Sequence, residues 1–145
     1  MIMKKTFFAL CALSMVLFSC KKDDDNVPAL TSNSVATTVT TGTWGITYYF
    51  DTDHEETSNF TGYAFVFDGT GAVIAAKTGS SIPGTWSTGT DNSKVKFVLA
   101  FAAPADFAEI SEDWEVLERT DTKLRLQHVS GGNGGTDLLT FERNK

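Results

Sequence analysis

Thiols and imidazoles are scarce in this sequence, and each scarcity closes off a class of structure or chemistry. The two cysteines are Cys11 and Cys20. Cys11 lies inside an N-terminal apolar run of the kind removed on export, so Cys20 is left without a partner and a disulfide framework is excluded. The two histidines, His54 and His128, have no cysteine partners, which counts against a tetrahedral zinc site. Glycines cluster in turn-like stretches, with no G-x-G-x-x-G, no P-loop and no G-x-S-x-G elbow. Basic residues are outnumbered, 12 against 18, for a formal net charge of −6. An acidic surface beside phosphates argues against nucleic acid and against electrostatic attraction to a membrane. No apolar run reaches the roughly 20 residues of a spanning helix.

What is present at the N-terminus gives an address. Lys4 and Lys5 precede an uncharged apolar run, residues 6–18, of the length of an export signal's hydrophobic region. The run ends at Leu17-Phe18-Ser19-Cys20, which resembles a bacterial lipobox, with Phe18 bulkier than is usual there. The resemblance implies that residues 1–19 are cleaved and that Cys20 is acylated. Several acyl chains on one residue meet the two-signal requirement for stable anchoring. Lys21-Lys22-Asp23-Asp24-Asp25 resembles the acidic export tag of Bacteroidetes surface lipoproteins, which implies an outer-membrane, outward-facing location. Residues 20–41, rich in Asp, Thr, Ser and Asn, read as a flexible tether. Val35 and Val39 could at most add an edge strand.

From Gly42 onward, short alternating apolar runs are separated by turn residues, the pattern of an all-β domain. Strands are expected at 44–50, 63–67, 72–78, 82–88, 94–101, 114–120, 123–129 and 136–143. Residues 104–112 could form a turn or two of helix, with Phe107 and Ile110 three apart. Eight antiparallel strands in sequence order favour an up-and-down barrel over residues 42–145, with a two-sheet sandwich as the alternative.

Gly42-Thr43-Trp44 at the head of the first strand resembles the Gly-x-Trp signature of lipocalins. The stretch from Phe60 to Phe67, Gly84-Thr85-Trp86-Ser87 and the closing Leu139-Thr140-Phe141 are together similar to the lipocalin-like domain of Bacteroidetes lipoproteins. The resemblance implies that Trp44 plugs one barrel end with Arg143 packed across its indole, a cation–π contact that also covers apolar area. It also implies a non-catalytic binding module for a small apolar ligand. The chain departs from the family in its shorter length, its missing disulfides and its lack of a clear C-terminal helix.

Alternation makes Trp44, Ile46, Tyr48, Phe65, Phe67, Trp86, Phe97 and Trp114 inward candidates. Tyr48 and His128 are the best polar groups for a pocket mouth. Short strands with this many inward aromatics can also be filled completely by side chains. In that case the domain works through its outer face, with protein or glycan partners, and Tyr49 is among its outward aromatics. Asp51-Thr52-Asp53-His54-Glu55 begins like a calcium loop but has Glu56 where glycine is needed and Gly62 where a bidentate glutamate is needed. No metal or cofactor is expected. Glu112 and Glu118 read as solvated rim and outer-face groups rather than a glycosidase pair. The expectation is a monomer without enzyme activity.

Overall fold

The computed structural model of the protein describes residues 29–132 and 134–145. The apolar leader, Cys20 and the acidic run lie outside the described residues. Among the described residues no helix is long and apolar enough to cross a membrane. The strands are β1 (Trp44–Asp51), β2 (His54–Glu55), β3 (Ala64–Phe67), β4 (Ala72–Lys77), β5 (Ser80–Asp91), β6 (Lys94–Phe101), β7 (Asp113–Arg119), β8 (Lys123–Val129) and β9 (Thr136–Arg143). From β3 to β9 each strand pairs antiparallel with the next. β1 bonds to β3 on one side and to β9 on the other, which closes an eight-stranded barrel. β2 is a two-residue appendage on the end of β1.

The fold is the up-and-down barrel rather than the sandwich. First and last strands share a ladder running from Trp44 opposite Arg143 to Phe50 opposite Leu138, so this sheet has no long free edge to protect. Alternation decides which side chains enter. Along β6, Val95, Phe97, Leu99 and Phe101 are buried while Lys94 and Ala100 are exposed. The turn between β3 and β4 is fixed by Asp68, whose carboxylate accepts from the Thr70 hydroxyl at 2.7 Å and from the backbone N–H groups of Thr70 and Ala72 at 2.8 and 3.0 Å. Those donors hold the Asp68 carboxyl below its ordinary pKa, the Thr70 hydroxyl most of all. Gly71, at φ +92°, supplies the backbone conformation that closes the turn.

Two expectations require correction. The β1–β9 register shifts between Ile46 and Tyr48. Such a bulge places an extra residue in one strand and reverses every later side chain. Tyr49, not Tyr48, therefore points inward and is 1 % exposed. Tyr48 is half-buried and stacks on Phe50, centroids 6.5 Å apart.

The second correction concerns the tether. Residues Ser32–Val39 form helix α1, not flexible chain and not an edge strand. A capping box starts it: the Ser34 N–H donates to Thr31 Oγ1 at 3.1 Å, and the Thr31 N–H donates to Ser34 Oγ at 2.9 Å. Val35 and Val39, one helical turn apart, are 0 % and 1 % exposed and belong to the same core as the strands. Four residues of spacing put both on one face.

Helix α2 (Ala105–Glu109) forms where a short helical stretch was expected and buries Phe107, with Ile110 just beyond its end. It joins the end of β6 to the start of β7. Helix α1 instead precedes β1, packs against β5 and β6 and meets the end of β7 through the Arg119–Thr38 hydrogen bond, so the two helices cover opposite ends of the barrel. A 3₁₀ turn at Thr57–Phe60 adds buried Phe60 to the α2 end.

Candidate functional site

The interior is the first place to look for a site, because the sequence points its aromatics there. Phe65, Phe67, Trp86, Phe97 and Trp114 are all buried. Phe67 contacts Trp86, Phe97 and Phe141 with centroids 5.8, 5.6 and 5.7 Å apart, and Trp86 meets Phe97 at 5.8 Å. Phe65 stands 5.9 Å from Phe107 and 5.2 Å from Phe141. Phe107 in turn meets Phe60 at 5.3 Å, Phe101 at 5.1 Å and Tyr63 at 5.0 Å. These are ordinary packing separations for offset and edge-to-face rings. The array runs from Trp86 and Phe97 to the aromatic cluster under α2, so the rings lie against each other rather than around a space.

The candidate mouth residues are not brought together. Tyr48 is turned outward by the bulge. His128 is half-buried, with Nδ1 3.3 Å from the Asp113 carbonyl oxygen, Nε2 3.7 Å from a Glu112 carboxylate oxygen, and its ring 6.1 Å from that of Trp114. At the α2 end Tyr49 takes the position expected of Tyr48, its hydroxyl 3.5 Å from the Glu109 carbonyl oxygen. Burial raises the Tyr49 pKa, with the charges of Asp51 and Asp137 adding to the effect.

At the other end, Arg143 lies over the Trp44 ring, its guanidinium carbon 5.6 Å from the centroid. The indole N–H donates to the Val39 carbonyl at 2.9 Å, which ties the barrel plug to the last turn of α1. Gly42, at φ +80°, sits where a Cβ would approach Arg143 Cδ at 3.0 Å. Its bare backbone lets the arginine cross. The helix is the part of this end that sequence reasoning missed. Its visible signals were Thr31 and Ser34 at capping-box spacing and the Val35/Val39 pair.

Chemistry-bearing side chains gather at one further place. Asp51, His54 and Glu56 offer ligand atoms within 4.8 Å of one another. The His54 ring nitrogens face Asp53 at 2.5 Å and Glu56 at 2.7 Å. Both contacts favour imidazolium and raise the His54 pKa, the Asp53 contact more. Glu109 lies beside Glu56, and its pKa is raised first by desolvation and then by that neighbour. The corner is a carboxylate–imidazole network on the rim.

The outer face is laced with ion pairs. Lys94 meets Glu115 at 2.7 Å, Lys96 meets Asp113 at 3.5 Å, Lys123 meets Glu142 at 3.4 Å and Arg125 meets Glu118 at 3.2 Å. Among the described residues, grooves lined by Asp91 and Lys94, by Arg119 and Arg143, and by Thr52 and Gly131 open to solvent, and the inward aromatics line none of these.

Fold and geometry define a small closed antiparallel β-barrel with an aromatic core and a helix over each end. No protein-family model and no curated protein matches the sequence. Among solved structures the chain is similar to a DUF4847 family protein from Bacteroides vulgatus ATCC 8482, at 14 % identity and a TM-score of 0.50, covering 77 % of this chain and 98 % of that one. A protein from Bacteroides eggerthii DSM 20697 aligns at 17 % identity over 71 % of this chain and 98 % of its own, with a TM-score of 0.45. At such identity the first likeness shows the barrel fold alone, and the second carries no argument.

Proposed function

We propose that this chain is a lipid-anchored protein of the bacterial envelope whose binding surfaces are the outer face and ends of a packed, non-catalytic barrel. The observation that supports this reading is the mutual contact of the inward rings. Rings in mutual contact occupy the volume where a small apolar ligand was expected, and α1 and α2 cover the two ends. The leader and the Leu17-Phe18-Ser19-Cys20 junction support the anchor, and the acidic run after Cys20 supports an outward-facing position on the outer membrane. Protein or glycan partners would meet the barrel wall, where aromatics such as Tyr48 and apolar groups such as Val66 and Val129 reach solvent.

Native mass spectrometry of residues 26–145, purified gently and then exposed to a lipid extract, separates this from the container reading. A clean apo mass is expected. An added mass that denaturation removes would return the binding site to the barrel interior.

A further inference from the structure

The groove at the α1 end of the barrel brings two guanidinium groups together. It has a volume of about 470 Å³ and is lined by Arg119, Arg143 and Asp121 together with Ser34, Thr37, Thr38 and Thr41. On a chain of net charge −6, the cations named above on the barrel wall have carboxylate partners within 3.5 Å. Arg143 differs from these. Among the described residues no carboxylate forms an ion pair with Arg143. Asp121, the one carboxylate in the lining, is 91 % exposed and pairs with Arg119 Nη1 at 4.0 Å, so the lining carries a net positive charge.

We propose that this groove binds a phosphate group. Guanidinium groups present planar, multiple N–H donors that match the oxygens of a phosphate. Both arginines are held before any ligand arrives. Arg143 is held across Trp44, and Arg119, its side chain 6 % exposed, donates from Nη1 to Thr38 Oγ1 at 3.0 Å. Donors fixed in advance lose little freedom on binding. The Thr38 hydroxyl accepts that bond, which leaves its own proton for an anion. The hydroxyls of Ser34, Thr37 and Thr41 donate to backbone carbonyls and form a neutral wall.

The C-terminal end of a helix normally repels anions through its unsatisfied carbonyls. In α1 those carbonyls are engaged: Ala36 accepts from the Thr40 N–H, Thr38 from the Thr41 N–H, Thr37 from the Thr41 hydroxyl and Val39 from Trp44. The phosphate can come from a lipid headgroup or from a soluble phosphoester. The groove lies on the end where the chain enters the barrel, since Ser34 Oγ donates to the Ala29 carbonyl at 3.1 Å.

The test is titration of residues 26–145, whose ladder and core close on themselves, with inorganic phosphate against chloride at matched ionic strength. Amide and arginine Nε–H shifts are followed by NMR. Saturable shifts confined to α1, Arg119 and Arg143 are expected. Thr37→Glu, at an exposed helix position, places a competing carboxylate on the groove. It should weaken binding about ten-fold or more while leaving Tm unchanged. Arg143→Gln should weaken binding too, but it also removes the cover of Trp44, so Thr37→Glu keeps the test independent of folding. A parallel arm measures sedimentation with vesicles containing phosphatidic acid. Sedimentation that free phosphate competes away assigns the headgroup, and phosphate binding without sedimentation assigns a soluble ligand. Shifts that never saturate, or that Thr37→Glu leaves unchanged, overturn the proposal.

Discussion

Gly84 has no room for a side chain. A Cβ there would lie 2.5 Å from Phe101 Cδ1 and 2.7 Å from the Ala100 carbonyl oxygen, against a ring that is itself packed on Phe65 and Phe107. Neither the backbone nor the wedged ring can yield without disturbing the core. Gly84→Ala should therefore cost about 1–3 kcal/mol as an overpacking change. Equilibrium urea unfolding measures it, and a change near zero would mean that β5 and β6 are further apart than described. Tyr49 gives a second prediction at this scale. A tyrosine that keeps its proton more firmly when folded contributes stability that is complete below about pH 10, its unfolded pKa. That contribution is lost as pH rises further toward the folded value, at up to about 1.4 kcal/mol per pH unit. Tyr49→Phe removes this dependence, so the stability difference between variant and parent should move in the variant's favour between about pH 9 and about pH 11. A pH-independent difference would show that the hydroxyl reaches water. The assignment of Tyr49 to the core was not legible in the sequence. Strict alternation from Trp44 selects Tyr48, and a single-residue bulge reverses the choice without leaving any mark in residue type, since both positions are tyrosine.

At the scale of elements, α1 and the head of β1 form one device. Trp44 is fully buried, its N–H is bonded to Val39, and Val39 packs into the same core. Trp44→Ala should cost about 3–5 kcal/mol, with cavity formation added to lost transfer energy. Val39→Ala should cost about 2 kcal/mol, within the range for a fully buried valine side chain. Because the two share a hydrogen bond and a packing surface, the double variant should lose less than the sum of the single losses, by 0.5 kcal/mol or more. Additive losses in denaturant titrations would show that the helix and the plug act separately. The strands were far more legible than this helix. In β6 the alternation of Val95, Phe97, Leu99 and Phe101 names both the element and its inner face, because a period of two has no other structural meaning. In α1 the stretch SNSVATTV carries two apolar anchors among threonines and serines, residues of modest helix propensity. Its helicity comes from packing on the barrel end, a tertiary effect that composition does not report. The site was legible to the same degree. Gly42, Trp44 and Arg143 follow from a local motif and a final strand, whereas the meeting of Arg119 with Thr38 depends on the helix.

At the scale of the whole molecule, the barrel needs no membrane to satisfy its backbone, because its ladder closes and its apolar side chains point inward to one core. Its exposed large apolar groups, Leu30, Val66, Ile74, Leu117 and Val129, lie on several different elements, and Lys94, Lys96, Lys123 and Arg125 on its wall are each paired with a carboxylate. Net negative charge gives an anionic bilayer no general attraction to it. In the proposed reading, stable membrane association comes from acylated Cys20, since a single weak signal would be reversible while several acyl chains together are not. Cys20→Ser should therefore move the protein from the membrane fraction to the soluble one and abolish incorporation of labelled palmitate, with the barrel's unfolding midpoint unchanged. Retention of label in the variant would end the lipoprotein reading. Loss of label with continued membrane association would transfer the anchoring role to a surface of the barrel itself, and the arginine groove at the α1 end is the surface whose chemistry fits it.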